Sequence, residues 1–433
     1  MSWKETYESR IMPAEEAIKL IKSGERVCLG HAVGIPTYIT DTMVDHMEDF
    51  ENVEIFQMVP MGNSRFSAPG TEGHFRLNTA FAGGLNKKDI VEGRADFTPC
   101  YFNEAPAMFD TYLPLDVAII QVTPPDEHGM VSTGVSADYT IPAARKAKKV
   151  IAEVNPQMPR THGDTALSVE DIDAFVINEH PVLELPAAKI GDVEKAIGEN
   201  CAKLIKDGDT LQLGIGAIPD AVLLFLKDKK DLGIHSEMIS DGVVELVEAG
   251  VITNKKKNFH PGKSVVTFLM GSKRLYDYGN DNPALEMLPV DIVNNPYVIA
   301  QNDNLVSINS CVQVDFNGQI SSESVGITQI SGVGGQVDFV RGAKMSKGGR
   351  SIIAIGSTAA KGKISKIVPV LDEGATVTTS RCDVDYVVTE YGIAQLKGKC
   401  LRQRAHDLIS IAHPDFRPSL IEAFEVRFKC KYE

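Results

Sequence analysis

The sequence pairs none of its cysteines. The seven, Cys28, Cys100, Cys201, Cys311, Cys382, Cys400 and Cys430, are scattered, odd in number and never spaced as CxxC. That excludes a disulfide framework and a structural zinc site, and it points to a reducing, cytoplasmic setting in which each thiol serves as a small buried hydrophobe. Long apolar runs are missing too. The stretch Ala221–Leu226 is typical of the longest, far below the roughly 18 residues of a membrane span, and the first ten residues, MSWKETYESR, are too polar for a signal peptide. Positive charge is in short supply, with 44 Lys and Arg against 58 Asp and Glu and a formal net charge of −14. A nucleic-acid partner is therefore not expected, and an anionic ligand must be held by local geometry rather than by a general field. No HxH, HExxH or carboxylate cluster occurs, so no catalytic metal is expected.

What the chain does have is an internal repeat. KSGERVCLGHAVGIP, ending at Pro36, returns as KDGDTLQLGIGAIP, ending at Pro219. Each copy reads as a buried strand, a glycine turn and a proline that opens a helix. Short β-branched strands alternate with helices throughout, as at Val117–Val122, Thr210–Leu213 and Ser351–Ile355. Alternation of this kind implies two similar open α/β/α domains with mostly parallel sheets. At 433 residues the chain suits two such domains, 1–185 and 186–433, with the Pro-, His- and Gly-rich stretch Asn155–Ile190 carrying it from one to the other.

The copies diverge where chemistry is expected. Three residues beyond an Ile that opens the next strand, Ile55 in one half and Ile234 in the other, stand Met58 and Glu237 respectively. Ligands of open α/β sheets bind beyond the carboxyl ends of strands, so Glu237 is a candidate functional carboxylate; taken alone, a solvated strand-end glutamate fits equally well. The helix after it, Val243–Glu248, has Ser240 or Asp241 as N-cap and Gly250 as its stop. The loop Gly214–Pro219, GIGAIP, permits close backbone approach to a ligand and leads into a helix Asp220–Leu226 whose free N–H groups suit an anion. It resembles the start of a dinucleotide fingerprint, but Pro219 replaces the third glycine, which weakens a nicotinamide dehydrogenase. The run SGVGGQVDFVRGA, Ser331–Ala343, clusters Gly332, Gly334 and Gly335 into a turn whose backbone N–H groups suit an oxygen that becomes negative during reaction; it also fits a tight connection without chemistry.

These motifs together resemble the family I CoA-transferases of the acetyl-CoA hydrolase/transferase group, in the branch acting on 4-hydroxybutyrate, butyrate and acetate. The resemblance is carried by VTPPDEHGMVSTGVSADYT (Val122–Thr140), AEVNPQMPRTHGD (Ala152–Asp164), LQLGIGAIPDAV (Leu211–Val222), LGIHSEMISDG (Leu232–Gly242), TFLMGSKRLYD (Thr267–Asp277), SGVGGQVDFVRGA and VVTEYGIAQLKGK (Val387–Lys399). It implies that Glu237 is the nucleophile of a ping-pong exchange through a glutamyl-CoA thioester. It implies CoA contacts at Gly214, Ile215, Gly216, Ala217 and Ile218, at Val312, at Gly334 and Gly335, and at Ser357, Lys361 and Gly362. Glu390 of EYG is then a structural signature rather than the nucleophile. CoA and acyl-CoA are expected as substrates rather than as a permanently bound cofactor, a short-chain carboxylic acid as acceptor, and a homo-oligomer as the assembly. The first half would supply the acyl pocket, with His31 and Gln57 as candidates, although a turn-packing role suits His31 equally. A hydrolase on the same scaffold and a noncatalytic CoA sensor stay open as alternatives.

Overall fold

The computed structural model describes residues 2–432. They form two compact units, one built from the chain up to Pro186 together with Val265–Val293, the other from Ala187–Ser264 together with the chain from Asn294 on. A single cut at 185/186 was expected; the segment Val265–Val293 instead groups with the first unit. Packing, not sequence order, assigns it there: Ala137 and Asp138 N–H groups donate to the Thr267 carbonyl, and Leu269 N–H donates to the Val135 carbonyl.

The first unit holds a seven-stranded sheet. In chain order its strands are β1 (Arg26–Leu29), β2 (Val53–Phe56), β3 (Phe75–Thr79), β4 (Ala95–Phe97), β5 (Val117–Val122), β6 (Lys149–Val154) and β7 (Ala174–Ile177), lying in the order β7-β6-β5-β1-β2-β3-β4. Every pairing is parallel. All six residues of β5 are buried, as expected of a strand covered on both faces. The stretch expected to be a pure connection, 155–190, contributes the edge strand β7. Its AFVI core is short enough that flanking prolines and glycines mask it in the sequence.

The second unit holds β8 (Thr210–Leu213), β9 (Gly233–Ile234), β10 (Leu305–Ser310), β11 (Arg350–Ala354), β12 (Tyr386–Thr389) and β13 (Gly392–Gln395), in the order β9-β8-β10-β11-β12-β13. Within this six-stranded sheet only the hairpin β12–β13 is antiparallel.

The sequence repeat is a repeat of hydrogen bonds. Lys22 N–H donates to the Glu25 carboxylate at 2.8 Å, and Lys206 N–H to the Asp209 carboxylate at 2.6 Å. Between these pairs Gly24 and Gly208 each take φ +78°, a turn that favours glycine. Val27 of β1 faces Ile55 of β2, and Leu211 of β8 faces Ile234 of β9. The counting that sets Met58 opposite Glu237 in the two halves is therefore the register of the sheets. In both sheets the chain steps outward from the repeat strand on one side and then crosses to its other side, to β5 in one unit and β10 in the other. The carboxyl ends beside β1 and β8 are thus topological switch points, where open α/β sheets bind ligands.

Candidate active site

Glu237 sits in a bend three residues beyond the end of β9, partly buried. Its carboxylate is held from two remote places in the chain. Asn294, fully buried, donates its side-chain N–H to Glu237 Oε2 at 2.8 Å. Gly335 presses its backbone on the same group: a Cβ built there would overlap Glu237 Oε2 and Asn294 Nδ2 and lie 3.1 Å from Glu237 Cδ. Gly335 has φ −88°, open to any residue, so it is the missing side chain that matters. The glycine is also the N-cap of the ten-residue helix Gln336–Met345. The positive end of that helix dipole favours negative charge beside it. Gly334, one residue back, takes φ +54° and turns the chain into the helix. His235, just before the bend, is fully buried, 5.6 Å from Phe259 and 6.2 Å from Phe339 between ring centroids.

The other candidate loops leave the carboxyl ends of neighbouring parallel strands. After β8 the chain runs through Gly214, exposed Ile215 and Gly216, whose φ of +110° favours glycine; a Cβ at either glycine would meet open space. Ala217 and Ile218 are the first two residues of α1 (Ala217–Leu224). This helix starts three residues earlier than the expected Asp220, because proline is tolerated anywhere in a first turn and Pro219 marks the third position, not the entry. Burial pushes the Asp220 carboxyl up, a rise partly offset by the Ser240 hydroxyl, which donates to it at 3.2 Å. Ser240 is the N-cap residue of α2 (Asp241–Glu248) but makes no capping bond; its hydroxyl links the two helix starts instead.

Val312 follows β10, with its N–H on the Ser321 carbonyl at 2.8 Å. Ser357 follows β11 and is fully buried. Glu390 grips it with both oxygens, accepting the Ser357 N–H at 2.9 Å and its hydroxyl at 2.5 Å. The hairpin beyond, Thr358–Ala359 paired with Ile364–Ser365, turns through Ala360, Lys361 and Gly362 at φ +50°, +57° and +84°. Two consecutive non-glycine residues in the left-handed region carry strain of the kind that gathers at ligand clamps. Lys361 is exposed at the tip.

His31 and Gln57 belong to the first unit and are buried within it. His31 Nδ1 lies 3.0 Å from Asp138 Oδ2, and its ring contacts Phe102, Tyr139 and Phe268, the last at 4.7 Å. Gln57 donates Nε2–H to the Gly30 carbonyl at 3.4 Å. At the position matching Glu237, Met58 is 1% exposed, and its N–H donates to the Tyr139 hydroxyl at 3.2 Å.

Sequence reasoning missed Asn294. It precedes Asn295, whose side chain accepts the Tyr297 N–H as the cap of the short helix Pro296–Ile299. In a string reading VNNP both asparagines pass as turn chemistry, and only the fold brings the first to Glu237. No disulfide joins any of the seven cysteines; Cys28, Cys100, Cys201 and Cys311 are buried as expected, and burial pushes the thiols of Cys201 and Cys311 up to about 12, whereas Cys382 and Cys400 are exposed and Cys430 half-buried, against the expectation. Among the described residues no cluster of three His, Cys, Asp or Glu side chains suits a metal ion, and no helix is long and apolar enough to cross a membrane.

Residues 1–186 match the acetyl-CoA hydrolase/transferase N-terminal domain, and residues 271–424 the C-terminal domain of the same family. The chain is 61% identical to the 4-hydroxybutyrate coenzyme A transferase of Clostridium kluyveri, over 99% of this chain and 100% of that one. RipA from Yersinia pestis superposes with a TM-score of 0.95 at 38% identity, over 99% of this chain and 100% of the other. The 4-hydroxybutyrate CoA-transferase from Porphyromonas gingivalis does so with a TM-score of 0.86 at 45% identity, with the same coverage. With both family domains matched in order, and with relatives this similar along its whole length, the chain is an enzyme of the acetyl-CoA hydrolase/transferase family.

Proposed function

We propose that the enzyme transfers CoA between short-chain acyl-CoA and a carboxylic acid of the acetate, butyrate and 4-hydroxybutyrate class, with Glu237 as nucleophile. The observation that carries this reading is the holding of one carboxylate between the Asn294 amide and the backbone of Gly335. A carboxylate suits the task because donor and acceptor are themselves carboxylic acids, so the exchange runs between near-equal partners. Glu237 attacks the thioester carbonyl of the donor, and CoA thiolate leaves as a mixed anhydride forms. The thiolate then attacks the glutamyl carbonyl, releasing the donor acid and leaving a glutamyl-CoA thioester. The acceptor acid runs the steps backwards. Division of one hard displacement into easier steps is covalent catalysis, and it gives ping-pong kinetics.

Each tetrahedral intermediate puts charge on an oxygen. The Asn294 amide and the backbone N–H groups of Gly334 and Gly335 are the donors we assign to it, and loss of one such donor costs about 10²–10³ in rate. The loop Gly214–Ile218, Val312 and the hairpin Ser357–Gly362 are the CoA contacts in this reading, with strained, exposed Lys361 the cation offered to the phosphates. We assign the acyl pocket to the first unit, with His31 and Gln57 as its polar members, and we take a homo-oligomer in the cytoplasm as the working form.

Trapping is the test. With acyl-CoA and no acceptor, CoA should become covalently attached to Glu237, and borohydride should reduce that thioester to an alcohol; mass spectrometry of the peptide containing HSEMISDG reads both. Steady consumption of acyl-CoA without acceptor would make the enzyme a hydrolase. Absence of any adduct while transfer is measurable would reject the nucleophile.

A further inference from the structure

We propose that Ser236 is the positioning residue that aims Glu237, by taking over with its side chain the last rung of the parallel ladder between β8 and β9. The proposal rests on Glu237 as nucleophile. Leu211 pairs with Ile234, and the His235 N–H donates to the Leu211 carbonyl at 3.1 Å. A regular parallel ladder would next send the Leu213 N–H to the carbonyl of His235 and the N–H of Glu237 to the carbonyl of Leu213. That continuation would hold Glu237 in a strand, with its side chain fixed by the pleat. Instead the Leu213 N–H donates to Ser236 Oγ at 3.3 Å, and the Ser236 hydroxyl donates to the Leu213 carbonyl at 3.0 Å. One hydroxyl, 1% exposed, satisfies both backbone groups. The chain leaves the sheet without orphaning either buried group, and Glu237 falls in a bend anchored to Leu213, the residue that precedes the Gly214 loop.

The first unit ties the corresponding turn by a different bond. Gln57 occupies the position of Ser236, because Val27 faces Ile55 as Leu211 faces Ile234. It too spends its side chain on the end of the preceding strand, donating to the Gly30 carbonyl at 3.4 Å. Gly30 follows Leu29 as Gly214 follows Leu213. At one register position Ser236 bonds the last residue of its strand and Gln57 the residue after, while the Leu29 carbonyl accepts from the Tyr139 hydroxyl at 3.1 Å, and only in the second unit does the tied turn bear a carboxylate.

The test compares full-length Ser236→Ala and Ser236→Thr with wild type. In a single turnover with acyl-CoA and no acceptor, Ser236→Ala should form the Glu237 adduct at least about tenfold more slowly, since misplacement of a reacting group by about 1 Å can cost 10²-fold. Its affinity for CoA itself, by calorimetry, should stay within about twofold, and Ser236→Thr, which keeps the hydroxyl, should recover the rate. A wild-type rate in Ser236→Ala overturns the proposal, as do Ala and Thr variants that are equally slow while melting like wild type. Should Ser236→Ala not fold, the threonine variant decides: a near-wild-type rate supports the brace, and a tenfold loss in folded protein overturns it. Absence of the adduct in wild type sinks the nucleophile and the proposal together, whereas a wild-type adduct with an unchanged rate in Ser236→Ala sinks the proposal alone.

Discussion

In the proposed function Glu237 is a nucleophile by what holds it, and among its holders are the Asn294 amide and the absent side chain of Gly335. Glu237→Gln keeps the shape and loses the attacking charge, so transfer should fall to less than about a tenth of wild type while CoA binding persists; the loss should appear in kcat. Gly335→Ala tests the absent side chain. A methyl there overlaps both the Glu237 carboxylate and the Asn294 amide, so kcat should fall by about two orders of magnitude, equally with acetyl-CoA and butyryl-CoA. A loss confined to one donor would move Gly335 from the reacting centre to the acyl pocket. Glu237 was legible in the string because the repeat register singles it out. Gly335 was legible as one glycine of a cluster, but its close approach to the Glu237 carboxylate was not.

At the scale of elements, carboxylates do structural work by gripping backbone. Glu390 joins the turn between β12 and β13 to Ser357, three residues beyond β11. Glu390→Ala leaves a buried hydroxyl and N–H without their acceptor, so the Ser357–Gly362 hairpin should loosen. The KM for acyl-CoA should rise several-fold with kcat changed less, and amide exchange should quicken at Thr358–Ser365. In the first unit Glu153 of β6, fully buried, accepts the N–H groups of Tyr38 and Ile39 at 3.1 and 3.2 Å, near the start of the helix Thr37–Asp45, and meets His180 Nε2 at 2.9 Å. The hydrogen bond that His180 Nε2–H donates to the Glu153 carboxylate raises the His180 pKa from its ordinary value of 6.5, against a smaller opposing effect of burial. A raised histidine stabilises fully below its unfolded value, near pH 6.5, and loses that contribution as pH climbs through the folded one. His180→Gln should therefore lower the melting temperature more at pH 6 than at pH 9. An equal loss at both would show the pair to be uncharged.

At the scale of the whole chain, duplication has made two switch points with one backbone plan and different contents. Ala32 holds φ +48° where its counterpart Gly216 holds φ +110° and ψ 179°, so the two turns take different backbone paths, and only the second takes one that a side chain would oppose. The first unit's turn is filled by Phe102, Tyr139 and Phe268 around His31. Met58→Glu asks whether position alone makes a nucleophile. The new carboxylate would be buried without an Asn294 or Gly335 of its own, so the variant should lose on the order of 3–5 kcal/mol of stability. The CoA adduct should stay at residue 237 alone; an adduct at residue 58 would show that the cradle is dispensable.

The sequence by itself determined the α/β class, the duplication, the register that pairs Met58 with Glu237, and the glycine loops, because hydrophobic period, turn chemistry and repetition are local signals. It did not determine where Val265–Val293 packs, nor the edge strand hidden at Ala174–Ile177. The partners of the site lay beyond it as well. Asn294 reaches Glu237 across 57 residues of chain and Glu390 reaches Ser357 across 33, contacts that exist only once the sheets have formed. Ser236 is one residue from Glu237, yet its role too was invisible, because a hydroxyl that replaces a ladder hydrogen bond can be recognised only where the ladder is seen to stop.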